Sequence, residues 1–198
     1  MGYRTGMSDP SGSTAWKYDA RGRVIQETKV VNGTGGGTFV TQWTYNSHDQ
    51  VATMTYPGGS GGQLGETVST IYGKWGQPTI LTGTASIVAG MPFDTSGRID
   101  QIKLGGTSAS PTLVVDFSYH PWTTAGGRGR LQQILTGPPG NPSALQSLTY
   151  GYDYAGNVTS VVDGLETPST TTYTYDHLDR LTGVGGPYGE SYTYNSIG

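Results

Sequence analysis

Hydrophobic and polar positions recur in a short fixed order along the chain. Each copy has an aromatic residue, then Asp, Asn or Gly, two variable positions, a Gly or Asp, and an apolar residue two places further on. The aromatic positions are Tyr18, Tyr45, Tyr72, Phe93, Tyr119, Tyr152, Tyr175 and Tyr194. A repeated pattern of this kind predicts a tandem array of one small structural unit.

The residue types after each aromatic predict a hairpin turn. Asp or Asn suits the first position of a type I turn, because its side chain accepts a hydrogen bond from the backbone two residues on. A Gly in the left-handed region then completes the common hairpin with a G1 bulge, and Asp is one of the few residues that can replace it. The predicted turn residues are Asp19, Gly22, Asn46, Asp49, Asp94, Gly97, Asp153, Gly156, Asp176 and Asp179.

The strands around each turn predict a row of large side chains on one face. A second large residue stands two places before the aromatic in seven of eight copies, as Trp16 and Trp43 do. After the turn, apolar residues fall two and five places beyond the Gly or Asp, and Glu27 is the single miss. A separation of three allows two interpretations: apolar cover on both faces, or a bulge that re-phases the strand.

Together these features predict an all-β fold of tandem antiparallel hairpins in a curved or spiralling sheet, either a partial shell or a β-solenoid-like array. The intervals between the aromatics vary from 19 to 33 residues, as expected for similar hairpins joined by surface loops of different length. Residues 1–15 are interpreted as a lead-in and residues 16–198 as about eight repeats. The last copy stops within its motif, so we expect a fragment of a longer chain.

The composition argues against several classes of protein. The chain is only 13% charged but 11% aromatic, whereas disordered chains are usually charged and poor in aromatics. A net charge of −3 gives no basic surface for nucleic acid, and no apolar stretch is long enough to insert in a membrane. With no cysteine, disulfides and thiolate metal sites are excluded.

The fifth copy departs from the pattern at its turn. Tyr119-His-Pro-Trp122 is followed only later by Gly129-Arg-Leu131, which makes this turn six residues longer than the others. Trp122, Arg128 and Arg130 are therefore the candidate ligand contacts, against the plainer interpretation of a tolerated loop insertion.

The chain offers no catalytic constellation. The Asp residues are explained by the turns, and His48, His120 and His177 lie in or beside separate turns, where exposure is expected. Gly-rich stretches such as residues 33–37 lack the strand and helix of a phosphate-binding loop. We therefore predict no enzyme activity, no cofactor and no metal.

Two stretches, Tyr150-Gly-Tyr-Asp-Tyr-Ala-Gly-Asn-Val-Thr-Ser160 and Tyr173-Thr-Tyr-Asp-His-Leu-Asp-Arg-Leu181, resemble the YD-repeat, or Rhs, family. The family includes bacterial polymorphic toxins, the cocoon-forming component of insecticidal toxin complexes, and teneurins. The resemblance covers about residues 16–198 and implies a long sheet that spirals into a hollow shell. In toxin members it implies an enclosed C-terminal effector, released by an aspartyl-protease-like core that nothing in this sequence matches.

Two functions follow from the repeats. The first is a structural scaffold, part of a secreted or cell-surface shell whose partners are the rest of its own chain and its C-terminal cargo. The second is an extracellular adhesion module that recognises glycans or a protein, since rows of Tyr and Trp can stack on sugar rings. Open sheet edges also allow neighbouring copies to pair and form filaments.

Overall fold

The protein folds into β-strands and turns. The computed structural model describes residues 2–165, 169–187 and 189–195, and within these ranges it contains no helix. The chain divides into two compact units, Met1–Val88 and Ala89–Gly198. Within each unit, each strand follows its sequence neighbour in the sheet order, and the pairings between described strands are antiparallel. The prediction of an all-β array of tandem antiparallel hairpins is confirmed.

The first unit contains seven strands and most of an eighth. They are β1 (Gly6–Asp9), β2 (Gly12–Tyr18), β3 (Val24–Val31), β4 (Gly37–Tyr45), β5 (Val51–Pro57), β6 (Leu64–Tyr72), β7 (Pro78–Thr82) and β8 (Ser86–Gly90), whose last residues belong to the second unit. The predicted lead-in therefore contains β1 and the first half of β2. The Gly-rich segments 32–36 and 58–63 connect successive hairpins.

The second unit continues the same alternation of strand and turn. Its strands are β9 (Gln101–Leu104), β10 (Leu113–Tyr119), β11 (Leu131–Gly137), β12 (Gln146–Tyr152), β13 (Val158–Asp163), β14 (Ser169–Tyr175), β15 (Leu181–Gly185) and β16 (Glu190–Ser191). Phe93 and Ile99 form an isolated bridge in the place that the other copies use for a strand pair. The predicted turn of the last copy extends over residues 196–198, which lie outside the described residues.

A bulge beside each turn decides between the two interpretations of the apolar pattern. Tyr45 lies opposite Val51 but Thr44 lies opposite Thr53, so the strand after the turn contains one extra residue. Val51 and Met54 consequently lie on the same face, although they are three residues apart. The same register shift occurs at Tyr18, Tyr72, Tyr119, Tyr152 and Tyr175.

The bulges separate the side chains of each unit into two unlike faces. On what we call the aromatic face, Tyr45 pairs with Val51, and Trp43 pairs with Met54. The opposite face is rich in hydroxyl groups, as in the pairs Thr44–Thr53 (2.6 Å) and Thr55–Thr67 (2.8 Å). Most strand side chains are only half-buried, and the buried hydrophobic residues of the described part are Val68, Ala89 and Val114.

Glu27, which interrupts the apolar pattern, is accommodated on the aromatic face by a specific partner. It lies opposite Trp16, and the indole Nε1 of Trp16 donates a 2.8 Å hydrogen bond to its carboxylate. A hydrogen bond to a charged acceptor compensates for the cost of placing a carboxylate among half-buried aromatic side chains. The exception therefore keeps the same register as the apolar copies.

Candidate functional site

The turns have the geometry of a type I turn followed by a residue in the left-handed region. In the first copy the Gly22 N–H donates to the Asp19 carbonyl (3.0 Å), and the Asp19 N–H donates to the Arg23 carbonyl (3.0 Å). Gly22 has a φ of 80°, as the G1 bulge requires. In two later copies a non-glycine residue occupies this position, and Asp49 and Asp179 have φ values of 63° and 58°.

The first side chain of each turn holds the turn closed. The Asp19 carboxylate accepts hydrogen bonds from the N–H groups of Arg21 (2.9 Å) and Arg23 (3.0 Å). Asn46 makes the same two bonds with its amide oxygen, to the N–H groups of His48 and Gln50. Equivalent bonds to the residue four places on, which follows the bulge, are made by Asp94, Asp153 and Asp176.

The residue after the bulge matches the first residue of its turn. Where the turn begins with Asp19, Asp94 or Asp176, the residue four places on is an arginine that pairs with the carboxylate through two nitrogens. Where the turn begins with Asn46, Gln50 replaces the arginine, and the two amides share a 3.0 Å hydrogen bond. The turn of Asp153 combines the two types, since the amide of Asn157 donates a 3.0 Å hydrogen bond to the carboxylate.

The arginine contacts shift the acidity of the turn carboxylates. The backbone N–H of Arg180, followed by its guanidinium, lowers the pKa of Asp176 to about 2. The N–H groups of Arg23 and Arg98 likewise make the largest contribution to lowering the pKa values of Asp19 and Asp94. These groups are therefore carboxylates throughout the neutral range, and they act as acceptors rather than as acids.

A tyrosine hydroxyl connects each of several hairpins to the hairpin before it. The Tyr45 hydroxyl donates to the Val24 carbonyl (2.7 Å), which is the residue directly after the preceding turn and bulge. Corresponding bonds of 2.6 to 2.9 Å join Tyr18 to Arg4, Tyr72 to Val51, Tyr119 to Ile99, Tyr175 to Val158 and Tyr194 to Leu181. Phe93 has no hydroxyl for this bond.

The arginines of the turns lie over the tyrosines of the next hairpin. The guanidinium carbon of Arg23 is 4.4 Å from the ring centroid of Tyr45, and that of Arg98 is 4.0 Å from Tyr119. Arg180 lies at the same distance from Tyr194 as Arg23 does from Tyr45. Each of these arginines therefore joins its own turn carboxylate to the aromatic ring of the following copy.

Neighbouring turns are also joined directly. Arg21 and Arg23 of the first copy both form ion pairs with Asp49, the left-handed residue of the second. In the second unit, Asn157 donates a 2.8 Å hydrogen bond to Asp179 of the next turn. The use of Asp instead of Gly at the bulge therefore provides an acceptor for the preceding hairpin.

The long fifth turn keeps the closing bonds of the shorter turns. The His120 N–H donates to the Arg130 carbonyl (2.9 Å), and the Gly129 N–H donates to the His120 carbonyl (3.1 Å). Gly129 has a φ of 75°, so it is the bulge glycine, and the six extra residues are inserted before it. His120 occupies the position that Asp or Asn has elsewhere.

The three candidate ligand contacts differ in their surroundings. Trp122 is 68% exposed and packs against Gly129, where a side chain would collide with the indole. Arg128 is exposed and has an unusual φ of 38° for a residue other than glycine. Arg130 is bonded to the Gly126 carbonyl (2.6 Å) and lies 5.8 Å from the Tyr152 ring, so it serves contacts within the protein.

One histidine does not have the exposed position expected from the sequence. His120 is half-buried, with its ring edge against Tyr152 (centroids 5.9 Å apart) and Nε2 3.2 Å from the Tyr150 carbonyl. His48 and His177 are exposed. No group of three or more His, Asp or Glu side chains in the described ranges is arranged to hold a metal ion, and no described helix has the length and apolar character to span a membrane.

Sequence reasoning missed one contact at the start of the chain. Tyr3 stacks on Tyr18 (centroids 5.0 Å apart), and its hydroxyl lies where a side chain at position 22 would point. Arg4 also provides the carbonyl that accepts the Tyr18 hydroxyl. The sequence contained a signal for this contact. Arg4 and Met7 lie two and five places after Gly2, which is the spacing that Val24 and Glu27 have after Gly22.

The fold is shared with solved structures of toxin complexes. No family model and no curated protein matches the chain. A crystal structure of TcdB2-TccC3-Cdc42 matches 93% of the chain with 21% identity and a TM-score of 0.71. The Tc holotoxin pore of Photorhabdus luminescens matches 90% with 20% identity and a TM-score of 0.68, and a TcdB2-TccC3-TEV structure matches 89% with 21% identity and a TM-score of 0.66.

The chain corresponds to only a small part of the toxin chains that it resembles. The chain spans about a tenth of the length of the first two toxin chains, 10% and 9%. At about a fifth identity the likeness is one of fold.

Proposed function

We propose that the chain is a non-catalytic wall segment of a YD/Rhs-repeat shell that encloses or carries a C-terminal toxin or effector. The observation that carries the proposal is the use of the repeated tyrosines to join one hairpin to the next. The Tyr45, Tyr72 and Tyr175 hydroxyls each bind a carbonyl of the preceding copy. Side chains committed to joining copies extend a sheet, and they need no ligand to account for them.

The scarcity of buried side chains supports a wall rather than a compact domain. In the described part of the chain, the buried hydrophobic residues are Val68, Ala89 and Val114. Both sides of each hairpin are only half-covered, as seen for Tyr45 and Thr53. A segment of this kind encloses little hydrophobic core of its own.

The likeness to Tc toxin structures supports the toxin context. Those structures are of a TcdB2-TccC3-Cdc42 complex and of a holotoxin pore. By analogy, the partners of this chain are the remaining shell of its own polypeptide and the cargo within it, and the protein acts outside the cell that makes it. Pairing of open edges between copies is a further mode of assembly for such sheets.

Protease protection in the natural polypeptide that contains these residues tests the proposal. We expect a C-terminal segment to resist proteinase K in the native protein and to become sensitive when the wall is locally weakened by Tyr152→Ala with Tyr175→Ala. Because repeat proteins lose stability locally, the remaining copies should stay folded by circular dichroism. The matched control is Tyr154→Ala, at a residue that is 77% exposed, which should leave the protection intact.

Two outcomes would contradict the shell role. One is a C-terminal region that is digested equally fast in the native protein and in the weakened variant. The other is a natural polypeptide that has no segment whose digestion depends on the repeats.

A further inference from the structure

Asn32 begins the Gly-rich loop between β3 and β4 and is followed directly by a glycine. It is the one asparagine of five that precedes Gly, since the others precede Ser, Pro or Val. Asn32 and Gly33 are both exposed, and a side chain added at Gly33 would meet none of the described atoms within 4 Å. Because glycine has no side chain to hinder its own peptide group, the Gly33 nitrogen can approach the side chain of Asn32.

The Gly33 N–H is not engaged by the fold. Gly33 lies outside the strands, and no group of the described residues accepts a hydrogen bond from its N–H. Its carbonyl accepts from the Gly36 N–H (3.0 Å), and its φ of 98° lies in the region that favours glycine. The backbone nitrogen next to the Asn32 side chain is therefore open to water and to base.

Asn32 joins its loop to the turn between β1 and β2. Its side-chain amide donates a 3.1 Å hydrogen bond to the Pro10 carbonyl, and its backbone N–H donates to the Ser11 carbonyl (2.9 Å). The same turn contains Asp9, whose carboxylate accepts the Ser11 N–H (2.8 Å). Conversion of the Asn32 amide to a carboxylate removes a donor and adds a negative charge at a turn that already contains one.

A second dipeptide with related chemistry is held by the fold. Asp163-Gly164 is the one Asp-Gly pair of the chain. The Gly164 N–H donates a 2.7 Å hydrogen bond to the Ser147 carbonyl, and the Asp163 carboxylate accepts from the Leu165 N–H (3.0 Å). Both reacting groups of this pair are therefore bonded, which makes it an internal comparison for Asn32 and Gly33.

We propose that Asn32 is a site of spontaneous deamidation that releases the turn between β1 and β2 from the loop. The Gly33 N–H gives its proton to solvent base, and the nitrogen forms a bond to the side-chain carbonyl carbon of Asn32. The bond from that carbon to Nδ2 breaks, and ammonia leaves with a proton from water, which gives a cyclic imide. Water then adds to one imide carbonyl and opens the ring to aspartate or to isoaspartate.

Both products act on the contact with the turn. Each carries a carboxylate at position 32 and has no amide donor for the Pro10 carbonyl. Isoaspartate also adds a methylene group to the backbone directly after the N–H that binds Ser11. We expect β1 to open more often after the reaction. The inference is independent of the wall function, because it concerns a connecting loop and none of the tyrosine hydroxyls.

NMR of the folded 198-residue chain, aged in mildly alkaline buffer, tests the reaction. The side-chain amide signals of the asparagines are followed over time, and peptide mapping with an isoaspartate-specific methyltransferase locates the products. We expect loss of the Asn32 signal while those of Asn46 and Asn157 persist, with isoaspartate at position 32 and not at 163. In urea, where the Ser147 bond is absent, isoaspartate should form at both positions.

Asn32→Gln is the matched control, since it keeps a side-chain amide but closes a larger ring less readily. Its amide signal should persist through the same ageing. An Asn32 signal in the folded protein that lasts as long as those of Asn46 and Asn157 would overturn the proposal. Equal isoaspartate at positions 32 and 163 in the folded protein would also overturn it.

Hydrogen exchange tests the release of the turn. Exchange of the β1 amides should be faster by up to about tenfold in aged protein than in fresh protein, because one hydrogen bond is lost. Asn32→Asp should show part of this increase without ageing, since it adds the charge and keeps the ordinary backbone. Asn32→Gln should exchange equally before and after ageing. Equal β1 exchange in fresh and fully deamidated protein would contradict the release.

Discussion

The Tyr45 hydroxyl donates a 2.7 Å hydrogen bond to the backbone carbonyl of Val24, 21 residues earlier in the chain. The bond connects the first strand of one hairpin to the second strand of the hairpin before it. The Val24 carbonyl lies beside a bulge, where ladder hydrogen bonds are interrupted. The hydroxyl therefore satisfies a backbone group and fixes the spacing of two copies.

Tyr45→Phe removes this bond and keeps the ring. We expect the free energy of unfolding to fall by about 0.5 to 1.5 kcal/mol, the usual net value of one hydrogen bond. Urea denaturation followed by circular dichroism measures the change. Tyr154→Phe, at an exposed turn residue, is the control and should change it by less than about 0.5 kcal/mol. An unchanged stability in Tyr45→Phe would show that the Val24 carbonyl is satisfied equally well by water.

Tyr152→Ala removes a whole ring from the aromatic face. The ring lies against the edge of His120 and 5.8 Å from the Arg130 guanidinium, and burial raises the pKa of its hydroxyl. We expect a loss of about 2 to 4 kcal/mol, at or below the usual cost of truncating an aromatic because the site is half-buried. Tyr154→Ala, two residues away and exposed, should have little effect in the same urea experiment. A loss below about 0.5 kcal/mol in Tyr152→Ala would refute the importance of the aromatic face for stability.

The sequence alone was sufficient to predict the turns and the all-β fold class, because both depend on local chemistry. Asp19 and Gly22 mark a type I turn with a bulge whatever surrounds them. The partner of the Tyr45 hydroxyl could not be derived in this way, since it depends on where the preceding hairpin lies. The only sequence signal was the choice of Tyr over Phe at this position in nearly every copy.

The same reasoning explains the remaining differences between prediction and structure. In the fifth turn, the sequence already indicates Gly129-Arg130-Leu131 as the end of the motif, and the structure closes the turn on these residues. His120 was expected to be exposed, but the insertion folds back so that Gly126 lies against the Asp153 carbonyl and His120 against Tyr152. Contacts between separate turns cannot be inferred from local sequence preferences.

Gly97 isolates the cost of the left-handed backbone conformation. Its φ is 79°, and a side chain added there would meet none of the described atoms within 4 Å. Gly97→Val should therefore cost about 1 to 2 kcal/mol through backbone strain alone. Gly97→Asn should cost less, because Asn tolerates this region as Asp49 does. Thermal melts measure both, with Gly140→Val as the control, since Gly140 has equal space and an ordinary φ. Equal losses in Gly97→Val and Gly140→Val would contradict the assignment of the cost to φ.

Asp176 provides a test of the carboxylate and arginine pairs through pH. Its pKa is about 2 in the folded protein, below the ordinary value of 3.8. Because the unfolded chain binds a proton more readily, this group adds stability above about pH 4, and the contribution is lost as the pH falls to about 2. We expect the urea midpoint of the protein to fall over this range, with Asp19 and Asp94 contributing in the same direction.

Asp176→Asn tests the Asp176–Arg180 ion pair separately from the other carboxylates. Asn46 already occupies the same turn position and accepts the corresponding two backbone N–H groups at 2.9 and 3.0 Å, so the variant keeps its turn. It loses the charge and the second carboxylate oxygen, which accepts from the Arg180 guanidinium. At pH 7 the variant should unfold at a lower urea concentration than the unmodified protein. The gap between the two midpoints should then close as the pH falls through the range in which Asp176 takes up its proton, while every other carboxylate titrates equally in both. A gap of the same size at pH 7 and at pH 2 would mean that the carboxylate acts as a turn acceptor only, and that its charge adds nothing to the stability of the hairpin.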